Sequence, residues 1–418
     1  MALATPSAAA ELDAAPRPND RTLPEPAGPH LRIAQREHRE DDHVRIEIFV
    51  ERIDESGGET PIFTYVFDFE GTVLPPPQTT ANMGLIAALF MAMEQGLPVR
   101  VAGAVSRLLL ANLEEFQDAW STWCPNLYRR VPLFADRLVD SVDRSGGEGQ
   151  GVMLYSGGVD ANFTLINQLF GDQPHRRREI VAALLVHGYD VPLDRGDIFE
   201  ERRQRAAGIL ASYGIPLVTV RSNWRAPNKH YRDYGNGHAA ALAACLHAYE
   251  NLVEVGIIAS DRNYSYMSLE PNGSNPITNS YLSSSQLRFA TDGTRFTRTA
   301  KVAALSAHPT LRDQLQVCQT EYASNCCVCE KCIRTMLCFD AVGAERGRAF
   351  PRRPELWRLL LNFYWISAKA IPYYQDVIAV SRQKGTMGWV RSLLRVVVAL
   401  AWLKTSAGAV ARRVGLHR

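Results

Sequence analysis

The sequence has no long apolar run, no surplus of either charge and little lysine. Its longest apolar candidate, residues 396–403, is less than half the ~18 residues that cross a bilayer, which argues against a membrane-spanning helix. The formal net charge is +2 over 418 residues. No global basic excess points to nucleic acid, and no acidic excess points to a solvating tail. The cations are chiefly Arg, a compositional bias rather than a function. Residues 1–15 are Ala-rich but lack the basic start and compact apolar core of a signal peptide. The expected location is cytoplasmic. The eight cysteines are then expected as thiols or metal ligands, because disulfides are rare in that compartment.

Residues 1–42 are rich in Ala, Pro and charge and read as a disordered tail. From residue 43 apolar and polar residues alternate over 44–52 and again over 63–69, across a Gly57-Gly58 turn, predicting an antiparallel pair. Helical periods follow at 82–95 and 105–120. Residues 43–142 are thus expected to be a small α+β module, closed by a Gly-rich linker. From Gly151 the pattern changes to short apolar strands at 151–155, 180–186, 216–220 and 255–259, separated by helical stretches. That order predicts an α/β unit with a parallel sheet over 151–340, followed by a helical extension at 341–418. Ligands of such sheets bind beyond the C-terminal strand ends, at the switch point of the strand order.

The first of these strands runs into Ser156-Gly157-Gly158-Val159-Asp160, with a helical segment behind it. Two glycines let backbone N–H groups approach an anion, and a helix N-terminus adds positive potential. Ser156 supplies a hydroxyl, and Asp160 is placed to hold Mg²⁺. No Gly-Lys-Ser/Thr closes the loop, so the Walker pattern is absent. The segment resembles the N-type PP-loop ATP pyrophosphatase superfamily, whose motif is Ser-Gly-Gly-x-Asp-Ser; Ala161 stands at the final Ser. The resemblance implies an adenine nucleotide α-hydrolase-like, Rossmann-like fold that cleaves ATP to AMP and pyrophosphate. It implies that Ser156, Gly157, Gly158, Val159 and Asp160 line the nucleotide phosphates and that His187, ending the second strand, sits near the nucleotide. Lys301 falls where related enzymes carry a lysine after the sheet, to neutralise leaving pyrophosphate. Arg221, Asn223 and Arg225 end the third strand and could take an anionic substrate or pyrophosphate, the bland alternative being a solvated loop.

Cys318, Cys326, Cys329 and Cys332 form the most specific pattern, two overlapping Cys-x-x-Cys steps with a fourth thiol upstream. Four thiolates close a tetrahedron around Zn²⁺. A redox pair and an iron–sulfur cluster are the minor readings. Cys327 makes the register ambiguous, although only Cys326 keeps the two-residue step to Cys329. Lys331 and Arg334 supply positive charge that favours thiolates. Phosphate loop and cysteines together resemble the 7-cyano-7-deazaguanine synthase family over residues 151–340, in which four cysteines bind a structural zinc.

The expected activity is an ATP-dependent ligase that adenylates a carboxylate or amide of a small, deazapurine-like molecule and passes it to ammonia or an amine. Asp160 and Lys301 are the catalytic candidates; ATP, Mg²⁺ and Zn²⁺ are the expected cofactors. The alternatives are sulfur insertion into a tRNA or small molecule, and a non-catalytic nucleotide-binding partner. Residues 389–404 form an apolar helical stretch with Arg391, Arg395 and Lys404, followed by Arg412, Arg413 and Arg418. Packing on its own domain or in a homodimer is the favoured reading, contact with a membrane surface the lesser one.

Overall fold

The computed structural model describes residues 26–140, 147–227, 231–266, 271–318, 324–353, 357–358 and 366–413. Strands β1 (His30–Arg39), β2 (His43–Ile53) and β3 (Glu59–Gly71) form an antiparallel meander. Helix α1 (Asn82–Gln95), strand β4 (Val99–Ser106), helix α2 (Arg107–Trp123) and strand β5 (Leu133–Val139) follow. Alternation builds the meander: Val44, Ile46, Ile48 and Val50 are buried while the residues between them are more open, so one face is covered and one is not. Helix α1 is apolar all round and is buried from Asn82 to Met93, as a core helix must be.

The second half alternates strand and helix: β6 (Gln150–Leu154), α3 (Val159–Phe170), β7 (Glu179–His187), α4 (Gly196–Ala211), β8 (Leu217–Ser222), α5 (Tyr231–His247) and β9 (Val255–Ala259). Short helix α6 (Pro276–Ser280) precedes β10 (Arg288–Asp292). Helices α7 (Arg298–Ser306), α8 (Pro309–Asp313), α9 (Glu330–Val342), α10 (Ile371–Lys384) and α11 (Gly388–Arg413) complete the chain. The fold is mixed α/β, as expected. Its ten strands form one mostly parallel sheet in the order β10-β9-β6-β7-β8-β3-β2-β1-β4-β5. Successive residues of β6 serve two cores: Val152 and Leu154 face α1 and α5, whereas Met153 and Tyr155 face the layer containing α3, α7, α9 and α10.

The meander and the parallel strands are joined edge to edge. Strand β3 pairs antiparallel with β8, from Phe67 opposite Ser222 to Gly71 opposite Val218. The sheet therefore runs unbroken across the expected boundary between the N-terminal module and the α/β unit; the linker at 141–146 lies outside the described residues. The tail reading of residues 1–42 is corrected from His30 onward, because β1 lies within it. Only Leu31 and Ile33 are fully buried in that strand, too few to mark a strand by composition. Its backbone is satisfied by β2 on one side and β4 on the other, partners distant in sequence. Residues 1–25 lie outside the described residues.

A buried polar cluster fastens α1 and α2 to the end of α5. The Glu250 carboxylate is 1% exposed and accepts from Thr80 Oγ1, Asn82 Nδ2 (2.9 Å) and Ser284 Oγ (3.4 Å). His247 lies with Nδ1 3.0 Å from the same carboxylate and Nε2 2.8 Å from the Leu282 carbonyl. Asn82 Oδ1 in turn accepts from the N–H of Ser106, whose hydroxyl caps α2.

Candidate functional site

Parallel strands leave β6 with β7 on one side and β9 on the other, so the strand order reverses beside β6. The loop after β6 sits at that switch point. Gly157 has φ +73, a left-handed conformation that favours glycine, while Gly158 is extended and caps α3. The Gly157 carbonyl accepts from Asn162 Nδ2 (3.0 Å) and from the N–H of Gln316 (3.0 Å). Across a trans peptide the next N–H points the opposite way, so Gly158 N–H is turned from these partners toward the open side of the loop. The first N–H groups of α3 have no intrahelical acceptor and add to this concentration of donors. Ser156 is exposed, and Ala161 is buried in the core behind the helix.

Asp160 and Lys301, 141 residues apart in sequence, meet here. Lys301 Nζ donates to Asp160 Oδ1 (2.9 Å) and to the Ser260 carbonyl at the end of β9, and is almost fully buried. The other carboxylate oxygen takes Arg298 at 2.9 Å. Arg298 and Lys301 share one face of α7 because they are three residues apart. Burial pushes the Asp160 carboxyl up, but Arg298 and Lys301 outweigh it and hold the group below its ordinary range. Lys331, from the first turn of α9, is pulled down by burial and by Arg334 and Arg298, with Asp190 and Asp160 opposing. The carboxylate thus stands among three cations, Arg298, Lys301 and Lys331. Two polar atoms here, Arg298 Nε and Asp261 Oδ1, are buried without a hydrogen-bond partner among the described residues.

The C-terminal helices complete the wall. Tyr373 on α10 lies beneath two guanidiniums, with Arg334 at 4.4 Å and Arg298 at 5.6 Å from its ring. Asp376 accepts from the N–H of Thr299 (3.2 Å) and from its hydroxyl, a carboxylate at the N-terminus of α7. Arg298, Tyr373 and Asp376 are residues around Asp160 that local motifs do not single out, and Lys331 and Arg334 stand out in the sequence only beside the cysteines. The available signal is spacing: Arg298 with Lys301, and Lys331 with Arg334, each three apart on a helix.

The remaining candidates are distributed differently. His187 is buried, stacked on Phe199 with ring centres 4.3 Å apart, and its Nε2 lies 2.9 Å from the Pro192 carbonyl. Burial, with Arg221 adding, lowers its pKa, so the ring is neutral at physiological pH. Gly188 follows at φ +106; a Cβ there would stand 2.0 Å from the Ser222 carbonyl, so the loops after β7 and β8 touch only because this residue is glycine. Arg225 donates to the Tyr189 carbonyl (2.9 Å), tying the same two loops, and Arg221 is exposed. Asn223 is a correction. Its amide accepts from Val66 N–H (2.8 Å) and donates to the Thr64 carbonyl (2.9 Å), extending the β3–β8 junction instead of facing a ligand.

Cys318, Cys326, Cys329 and Cys332 converge with all four sulfurs within 4.8 Å of one another. Cys318 and Cys329 are 3.8 Å apart, and Cys326 and Cys332 are 4.0 Å apart. Zinc–sulfur bonds of ~2.3 Å give a tetrahedron with edges of about 3.8 Å, so the group could hold a metal such as zinc. Cys326 Sγ accepts from the N–H of Cys329 (3.2 Å) and of Val328 (3.5 Å). Cys327 takes φ +61 and directs its sulfur to the Asn325 carbonyl (3.5 Å), which resolves the register in favour of Cys326. Burial pushes the Cys326 thiol up to about 11, and the Cys329 sulfur drives Cys332 higher still; a bound cation reverses that order and keeps all four as thiolates. Asn325 anchors the segment entering the cluster, accepting from the N–H of Val317 (2.9 Å) and Cys318 (3.2 Å). Because Gln316 also bonds Gly157, the cysteine cluster and the glycine loop share one short segment.

No protein-family model, curated protein or solved structure matches the chain. The chemistry is therefore argued from the donors at the loop, the cations around Asp160 and the four sulfurs.

Proposed function

We propose that the chain is a PP-loop, Rossmann-like ATP pyrophosphatase-type ligase. It would adenylate a carboxylate or amide of a small molecule, release pyrophosphate and pass the activated group to ammonia or an amine. The observation that carries this reading is the meeting of the Ser156–Gly158 turn, the α3 N-terminus, Asp160, Arg298 and Lys301 at the switch point of the sheet. Backbone donors would cradle the phosphates, while Arg298, Lys301 and Lys331 would neutralise charge that builds on separating pyrophosphate. Asp160 would hold Mg²⁺ by exchanging one of its two cationic partners. Zinc at the four cysteines would be structural and would fix Gln316 against the glycine turn. Adenine, as opposed to another base, rests on the resemblance of the loop motif to the superfamily.

A sulfur-transfer enzyme needs an accessible thiolate near the cleft. Cys327 is buried, and burial pushes the Cys245 and Cys338 thiols up to about 12, which weighs against persulfide carriage by any of them. ATP–pyrophosphate exchange tests the proposal. With its carboxylate or amide substrate present, wild-type protein is expected to exchange label and, on addition of ammonia or an amine, to release AMP; Asp160→Asn is expected to lower exchange by at least about a hundredfold. Release of ADP and phosphate would overturn the assignment, and nucleotide binding without exchange would leave a non-catalytic partner.

A further inference from the structure

Among its described side chains, residues 388–406, helix α11 packs by one side. Leu394, Val397 and Ala401 are buried against the layer formed by α10, whereas Trp389 (67% exposed), Val396, Leu400 and Leu403 (57%) form an exposed stripe centred about 120° around the helix from them. On a helix of 3.6 residues per turn these four fall within about 60° of arc. Trp402 is also exposed and lies beside Arg395 on the flank of the stripe. Among the described residues, no helix is long and apolar enough to cross a membrane.

Charge identifies the occupant of this face. From residue 377 to the end the sequence has no Asp or Glu but carries Arg382, Lys384, Arg391, Arg395, Lys404, Arg412, Arg413 and Arg418. The whole chain is +2, so the preceding residues are net −6 and the last segment is +8. Two copies of α11 meeting through their stripes would bring together two cationic helices with no acidic residue between them. An anionic bilayer offers the opposite charge, an apolar layer for Leu and Val, and an interfacial zone favoured by Trp.

We propose that α11 lies in the plane of an anionic membrane surface, with Trp389, Val396, Leu400 and Leu403 in the acyl boundary and the surrounding cations among the headgroups. The inference is independent of the reaction proposed for the loop. The test is co-sedimentation of the full chain with vesicles of phosphatidylglycerol and phosphatidylcholine, compared with phosphatidylcholine alone. Wild type is expected to sediment with the anionic vesicles and to be released as salt rises. Leu400→Glu with Leu403→Glu is expected to weaken binding by at least about tenfold with an unchanged melting temperature, because both side chains are exposed. Arg382→Glu with Arg395→Glu, which keeps the apolar stripe, is expected to weaken it comparably at low salt. Equal sedimentation with neutral vesicles, or none with anionic ones, overturns the proposal. So does a dimer seen by light scattering that the Leu400/Leu403 variant dissociates, since a second copy would then cover the face.

Discussion

The buried polar clusters around Glu250 and around Asp160 are built on opposite rules. Around Glu250 a single carboxylate is met by Thr80, Asn82, Ser284 and His247, and Gln286 Nε2 is the one side-chain atom there left unpartnered. Around Asp160 the carboxylate is met by Arg298 and Lys301, with Lys331 adding, beside the glycine turn, while Arg334 pairs with Glu330. The first cluster joins α1 and α2 to α5. The second gathers cations beside the glycine turn, where the proposed function would place an anionic ligand.

If that contrast is right, Glu250→Ala is expected to cost about 3–5 kcal/mol, because it strands buried partners in the manner of a broken internal ion pair. Denaturant unfolding measures it. A loss below about 1 kcal/mol would erase the distinction between the clusters.

The cysteine cluster can be assigned to one side by the same measurement. Cys329→Ser is expected to abolish zinc binding and to cost about 2–3 kcal/mol, whereas Cys327→Ala keeps one metal ion per chain. Zinc content and denaturation midpoint decide together. Loss of metal from both variants would return the register to question.

The smallest effect should carry the opposite sign. Lys331→Met is expected to stabilise the protein by about 0.5–2 kcal/mol at pH 7, since it removes a cation whose burial, with repulsion from Arg334 and Arg298, outweighs attraction to Asp190 and Asp160. The pH dependence follows. A lysine whose folded pKa lies below its ordinary 10.5 leaves the unfolded chain holding more protons, so wild-type stability rises as pH climbs through that window. The variant should lack that rise, and its pyrophosphate exchange should fall. Destabilisation by Lys331→Met would mean that its pairing with Asp190 and Asp160 outweighs the repulsion.

Much of the parallel sheet is legible in the sequence because β6, β7 and β9 are short apolar runs buried on both faces. Strand β1 is not, since just two of its side chains are fully buried and its identity comes from neighbours. The same holds for Asn223: a polar residue ending a strand looks like a ligand contact until β3 is known to lie alongside. At the site, Asp160 and the four cysteines stand out by motif and spacing, and Lys301 only through the resemblance to related enzymes. Lys331 and Arg334 do so only as neighbours of thiols, because their position against Asp160 depends on how α9 packs on α7.

The pairing of β3 with β8 also has a consequence in time. A ribosome makes β3 first, and β8 emerges roughly 150 residues later, on the order of ten to thirty seconds at about 5–20 residues per second. During that interval the edge of β3, with Ile62, Phe63, Tyr65, Phe67 and Phe69 in its sequence, has no partner strand. Such an edge invites pairing with other nascent chains. Asp68, which accepts from Arg45 on β2, puts charge in the middle of that run and is the residue placed to protect it until β8 arrives.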